Sequence, residues 1–175
     1  MPLAQPPSTL NPPGPGSGTT LPVPYFPQVV NSWCWAACAS MVLGYYKQNV
    51  NQCSVAEFLL KVSCCPDPDL CDAPCAPSDV LRIYQHYNLN AKAVQGSVSA
   101  MDLQNELAAR RPIELGLGSS ASGHLVIVFG FTTAGANTSF QVHDPIALGT
   151  GPVSYDELLN GMGRGSWLET WKNIC

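Results

Sequence analysis

Charge is scarce in this chain. Only 11% of its 175 residues are Asp, Glu, Lys or Arg, and the 8 Lys and Arg are scattered among 12 Asp and Glu. Binding to a nucleic-acid backbone rests on clustered cations that neutralise phosphates, so a net charge of -4 without any basic cluster excludes that partner. Long apolar runs are missing too: a membrane-spanning helix needs about 20 consecutive apolar residues, and no stretch supplies them. No membrane partner is expected. The start MPLAQPPSTL lacks the basic beginning and apolar run of a signal peptide, and no internal repeat is present. Histidine is the last scarcity, with 3 residues, which shortens the search for a catalytic base.

Hydrophobic residues, by contrast, make up 46%, enough for one compact core in a chain of this length. The 8 cysteines, including the adjacent pair Cys64 and Cys65, point to an oxidising compartment. A secreted or extracellular protein is therefore expected, exported either behind a leader since removed or by a route that needs none. Residues 1–22 are dense in Pro, Gly, Ser and Thr and read as a disordered or polyproline-like tail, leaving 23–175 as the folded domain.

The centre of that domain is the segment Gln28 to Tyr46, QVVNSWCWAACASMVLGYY. From Trp33 to Tyr46 no side chain other than a thiol can ionise near neutral pH, and a helix apolar on all sides must be enclosed by the rest of its domain. Asn31 and Ser32 are good N-cap residues, so the helix is expected to begin near Trp33 with Cys34 in its first turn. The free amides and positive dipole end there favour an anion, which suits a nucleophilic thiolate.

Further helices follow. Ser54 with Glu57 has the form of a capping box for a helix to about Val62; Ser78 to Tyr87 has helical apolar spacing. Ser99 with Asp102 caps another helix, with Met101, Leu103, Leu107 and Ala108 as its inward stripe. The period then changes. Ile113 to Leu117, His124 to Phe131, Phe140 to Asp144 and Trp167 to Trp171 are short, β-branched or aromatic runs separated by turn residues, and read as antiparallel strands. Helices first and strands afterwards give an α+β domain, a helical lobe on a sheet lobe.

The base is found by elimination among the histidines. His86 sits between tyrosines on a helix, a packing position. His143 and Asp144 are adjacent on a strand and point to opposite faces, so at most one of them faces a given site. His124 follows Gly123 at the mouth of the apolar strand LVIVFGF, where a glycine allows a substrate backbone to approach. Asp144, 20 positions on, is placed to accept from the far imidazole nitrogen and fix its tautomer. The stretch Gly116-Leu117-Gly118 is not followed by a helix, which removes a phosphate cradle from consideration. Asn137-Thr138-Ser139 fits a glycosylation sequon and carries no weight without a eukaryotic source.

Gln28, then Cys34 six positions later and Trp35 directly after it, with Gly123-His124 and Asp144 downstream, resembles the papain-like cysteine peptidases. The Asn31-Ser32-Trp33-Cys34-Trp35 context and the short chain are most similar to the compact bacterial branch, which includes staphopain-like peptidases and papain-like effector proteases. That resemblance implies a two-lobe fold with the central helix packed on a C-terminal antiparallel sheet. It also implies a thiol endopeptidase in which Cys34 is the nucleophile, His124 the base, Asp144 its orienter and Gln28 an oxyanion donor. Papain has Asn where this chain has Asp144, and an Asp is similar to the compact relatives. No cofactor is needed, the partner is a protein or peptide substrate, and a monomer is expected. The same thiol centre could instead serve amidase, deamidase or transglutaminase chemistry, since all of these proceed through a thioester. A disulfide-rich binding domain without catalysis is the alternative of another class.

Apart from Cys34, 7 cysteines remain, so three disulfides would leave one thiol over, with Cys38 and Cys175 the candidates. Their connectivity cannot be read from spacing. A zinc site at Cys64, Cys65, Cys71 and Cys75 is the alternative, although the paired CxxC knuckles of zinc modules are missing. Asp67, Asp69 and Asp72 read as an acidic rim more readily than as calcium ligands.

Overall fold

The computed structural model describes residues 18–119, 122–147 and 151–175. Most of the expected tail, residues 1–17, lies outside the described residues. The boundary at residue 22 moves, because Gly18–Thr20 forms a first strand, β1, paired antiparallel with Gly130 to Thr132, and Leu21 is fully buried. Thr19 and Thr20 are acceptable strand residues beside a long strand with a free edge, which is how a Pro/Gly-rich approach can end in a sheet.

Among the described residues five α-helices follow β1: α1 (Cys34–Tyr45), α2 (Gln52–Leu60), α3 (Pro77–His86), α4 (Ala100–Ala108) and α5 (Tyr155–Leu159). The remaining strands are β2 (Lys92–Gln95), β3 (Ile113–Ser119), β4 (Ser122–Ala134), β5 (Asn137–His143), β6 (Val153–Ser154) and β7 (Ser166–Lys172). They form one antiparallel sheet in the order β2-β7-β3-β4-β5-β6, with β1 beside β4. The long β4 pairs with β3 through its first half and with β1 through its second, and β5 runs along its other edge. Its residues Leu125 to Val128 are all buried, as a strand covered on both faces requires.

Every residue of α1 from Trp35 to Leu43 is buried. The helix lies between the sheet, which it meets at β4, and the helices α2 and α3. Its uncharged sequence thus reflects enclosure on all sides. Burial replaces the cap expected at Asn31 or Ser32: the N-cap is Trp33, with no side-chain cap hydrogen bond. What fixes this end is the indole pair, since Trp33 Nε1 donates to Cys71 O at 2.8 Å and Trp35 Nε1 to Ala73 O at 3.1 Å. Ser32 N also donates to Asp72 Oδ1 at 2.7 Å, which gives that aspartate a structural partner.

The other helix signals divide. Ser99 and Asp102 form the expected box at α4. At α2 the cap is Asn51, accepting from Ser54 N at 2.9 Å, so the helix starts earlier than the Ser54 reading. Glu57 turns instead to the following loop and accepts from Cys64 N and Cys65 N. A capping glutamate has equivalent donors in any nearby turn, and only the tertiary path selects among them. In α4, Met101 and Ala108 are exposed while Leu103 and Leu107 are buried, so the inward stripe is narrower than expected. Its polar members Gln104 and Glu106 are buried instead, and Glu106 is held by Arg111 at 2.8 Å.

The cysteine count is also corrected. Two disulfides form, Cys53–Cys65 and Cys64–Cys71, leaving Cys38, Cys75 and Cys175 free along with Cys34. The pairs tie the loop after α2 to that helix and to itself. Two of the proposed zinc ligands are therefore bonded to each other and a third to Cys53. Among the described residues no group of His, Cys, Asp and Glu could hold a metal ion.

Beneath α1, Glu114 on β3 is 1% exposed, with Tyr84 Oη donating to its Oε2 at 2.5 Å and Oε1 without a partner. Burial pushes its carboxyl up to about 8 despite the Tyr84 hydrogen bond, which acts the other way. The folded chain then keeps a proton that the unfolded chain releases near its ordinary value, so stability falls as pH climbs from about 4.5 to about 8. The loss is on the order of a few kcal/mol. Glu114→Gln should flatten this slope in thermal unfolding measured from pH 5 to 8.5. An unchanged slope in the variant would mean that Glu114 is ionised in the folded protein.

Candidate active site

Cys34 opens α1, so its backbone N–H is one of the amides at the helix start that have no intrahelical partner. His124 stands near the start of β4, 7% exposed, and Asp144 lies just past the end of β5, 1% exposed. The two meet directly: His124 Nε2 is 2.8 Å from Asp144 Oδ1. The imidazole's remaining nitrogen, Nδ1, is thereby left available to the Cys34 thiol, which lines the same cavity.

Burial by itself would lower the His124 pKa. The hydrogen bonds to Asp144 and Cys34, and the charges on both, outweigh it and raise the imidazole to about 9. For Asp144 burial acts upward, and is overcome by the hydrogen bonds from His124 and from Ile146 N, then by the charges of His124 and Arg164. The result is a carboxyl held below its usual range. Arg164 Nη2 lies 2.8 Å from Asp144 Oδ2, yet that oxygen accepts no well-directed hydrogen bond. The guanidinium therefore acts on Oδ2 as a nearby charge more than as a directed donor.

Arg164 is the member that sequence reading missed. It lies between Gly163 and Gly165, which signal a turn, but nothing in that signal says where the turn points. Gly165 has a φ of 133°, and a Cβ on it would meet Gly118 O at 2.2 Å. Gly118 itself has a φ of 144° and would put a Cβ 2.1 Å from Ser122 O. These glycines let the Arg164 turn pack against the end of β3. The Gly116-Leu117-Gly118 stretch thus serves close backbone approach.

The entry strap holds the other side. Tyr25 Oη donates to Asp144 O at 3.1 Å and Gln28 N to Pro145 O at 3.0 Å. Gln52, also unforeseen, grips the strap at two points, its Nε2 donating to Pro27 O at 2.7 Å and its Oε1 accepting from Val29 N at 3.0 Å. The Gln28 side chain curls back on its own loop. Its Nε2 donates to Val30 O at 3.0 Å and Asn31 O at 2.5 Å, while Oε1 is buried without a partner. Gln28 is thus brought to the segment before Cys34, with its donors engaged and the side chain outside the lining of the cavity.

The rejected histidines have packing roles. His143 is stacked on Phe129 at 3.9 Å and its Nε2 donates to Val23 O at 3.0 Å; burial lowers its pKa. His86 is stacked on Phe58 at 3.7 Å.

Cys34 and His124 open onto a cavity of about 690 Å³. Its lining includes Trp35, Cys75, Gly116 to Ser119, Gly123, Arg164, Leu168, Glu169 and Trp171. A Cβ on Gly123 would meet nothing within 4 Å, so the approach to His124 is open there.

A central helix that begins at a cysteine, joined to a sheet carrying the histidine, defines the papain-like class of cysteine peptidase folds. Within that class the chain belongs to the Peptidase_C39-like family, whose model matches residues 20–174. No curated protein sequence matches the chain. Among solved structures it is similar to a C39-like peptidase from Bacillus anthracis, with a TM-score of 0.62 at 12% identity over 89% of this chain and 97% of that one. The peptidase domain of Streptococcus ComA, a bifunctional ABC transporter involved in quorum sensing, gives a TM-score of 0.58 at 13% identity over 84% and 95%. A double-glycine-motif protease from an AMS/PCAT transporter, solved with its leader peptide, gives 0.52 at 20% identity over 88% and 94%. At these identities the likeness to solved structures concerns the fold.

Proposed function

We propose that the chain is a cysteine endopeptidase that cleaves peptide bonds through a Cys34 thioester, with His124 as base and acid and Asp144 as its orienter. The observation that carries this reading is the pairing of His124 with buried Asp144 at 2.8 Å on the same cavity that Cys34 lines from the start of α1. His124 takes the thiol proton and keeps it, because Asp144 stabilises the imidazolium. The sulfur attacks the peptide carbonyl, and the oxyanion that forms is held by the Cys34 backbone N–H and by Gln28 Nε2. For Gln28 this requires exchanging one of its hydrogen bonds to Val30 O or Asn31 O for the oxyanion. His124 then protonates the leaving amine, accepts a proton from water, and the hydroxide opens the thioester.

A peptide substrate is supported by the solved relative bound to a leader peptide. The two disulfides support an oxidising location, and we propose that the protein acts outside the cytoplasm. Mass spectrometry of the intact protein tests that location: finding all eight cysteines reduced in material taken from its native source would reject it.

The peptidase reading is tested by reaction with the epoxide inhibitor E-64 and peptide mapping of the product. A single adduct on Cys34, lost in His124→Ala, is expected. A folded protein that forms no adduct would exclude an activated thiol in a peptidase cleft and shift the reading to amidase chemistry.

A further inference from the structure

The cavity beside Cys34 holds few charges, and all but one are matched. His124 and Arg164 both face Asp144, at 2.8 Å each. Glu169 is the exception, since its carboxylate has no hydrogen-bond or ion-pair partner among the described residues. Its position follows from an irregularity in β7. Gly116 of β3 pairs with Glu169, but Leu117 pairs with Trp167, so Leu168 is the extra residue of a bulge. A bulge lets neighbouring side chains reach the same side of a strand, and both Leu168 and Glu169 line the cavity.

The floor next to them is set by Gly116. A Cβ there would lie 3.3 Å from the Trp171 ring and 3.6 Å from Glu169 Cβ, so the glycine leaves the space between indole and carboxylate clear. Leu168 is 40% exposed at one side of this space and Trp171 is buried beneath it. Burial raises the Glu169 carboxyl, as expected of an anion that lacks a counter-ion. The combination suits one kind of side chain: an apolar stem to lie on Trp171 and Leu168, ending in a cation to meet Glu169.

We propose that Glu169 is the specificity-determining residue of this cleft and selects peptides that place a Lys or Arg side chain in the pocket formed by Gly116, Leu168, Glu169 and Trp171. The inference rests on the endopeptidase reading and names the substrate class for it. The cation is recognised by charge pairing in a partly dry site, where loss of one partner leaves the other unpaired and costs more than at the open surface.

The experiment is a peptide mixture with every residue varied around the cleavage point, digested by the full-length protein and read by mass spectrometry of the products. Pairs of peptides differing only by Lys or Gln at the preferred position are then timed individually. The wild type should favour the Lys peptide by about tenfold or more in kcat/KM. Glu169→Gln should collapse that ratio toward one, and Glu169→Lys should turn it toward Glu-containing peptides. Each ratio is internal to one variant, so partial misfolding cancels. Cleavage without preference for Lys or Arg, or a preference that survives Glu169→Gln, would overturn the assignment while leaving the peptidase reading intact. Failure to cleave any peptide, with Cys34 unreactive to E-64, would remove both.

Discussion

Replacing Cys34 by Ala is expected to lower kcat/KM for peptide hydrolysis by on the order of 10⁵-fold or more, because a thiol nucleophile and its base act as one unit. Stability should stay within about 1 kcal/mol of the parent. Cys34 is at the first position of α1 and only half-buried, and the indole bonds of Trp33 and Trp35 hold that end without it. Activity and thermal unfolding of the same preparation check both statements. Turnover in a folded Cys34→Ala protein would refute the nucleophile. Gln28→Ala is expected to act more weakly, lowering kcat by about 10²-fold with little change in KM, as loss of one oxyanion donor does. A normal kcat in that variant would show that the hydrogen bonds to Val30 O and Asn31 O persist through the reaction.

The second large effect concerns Asp144. Asp144→Asn should reduce kcat by about 10³- to 10⁴-fold, since it removes the charge that stabilises the imidazolium and leaves Arg164 without its partner. It should also move the pH profile. His124 is raised to about 9, so activity that needs the imidazolium is retained through neutral pH and lost as pH rises through about 9. Asp144 is lowered below its ordinary value, so the pair survives mild acid and fails only as pH falls through that lowered value. The stability supplied by the ion pair has the same limits: full below the ordinary histidine value on the alkaline side, and gone above about 9. In Asp144→Asn the alkaline limb of kcat/KM should shift to lower pH. A limb that stays near 9 in the variant would assign it to some other group.

The sequence carried much of the candidate site because the proposed catalysis demands particular residue types at positions that local rules can place. An uncharged 12-residue helix can only be central, and a cysteine at its first residue can only sit at its positive end. With 3 histidines, local context singled out His124, and the structure stacks the other two, His86 and His143, on phenylalanine rings. The strand position of His124, and that of Asp144 just past the end of its strand, follow from short β-branched and aromatic runs bounded by turn residues.

What only the tertiary structure decided are the choices among equivalent local partners and the contacts between segments far apart in the chain. Glu57 could cap its own helix or the loop at Cys64 and Cys65, and the loop's path chose the second. Seven cysteines besides Cys34 allow many pairings, and the enclosure of Cys38 within the buried α1 and the placement of Cys75 in the cavity wall left only two bridges. Gly18–Thr20 became a strand because β4 runs beyond the end of β3 and offers a free edge. Arg164 reaches Asp144, and Glu169 the cleft, through a glycine turn and a bulge whose directions are set by packing against β3. The sequence by itself determined the candidate reacting groups, because the proposed chemistry restricts residue type and local position. The folded structure decided what surrounds and orients them, because hydrogen bonds and charges act through distances that the order of residues does not contain.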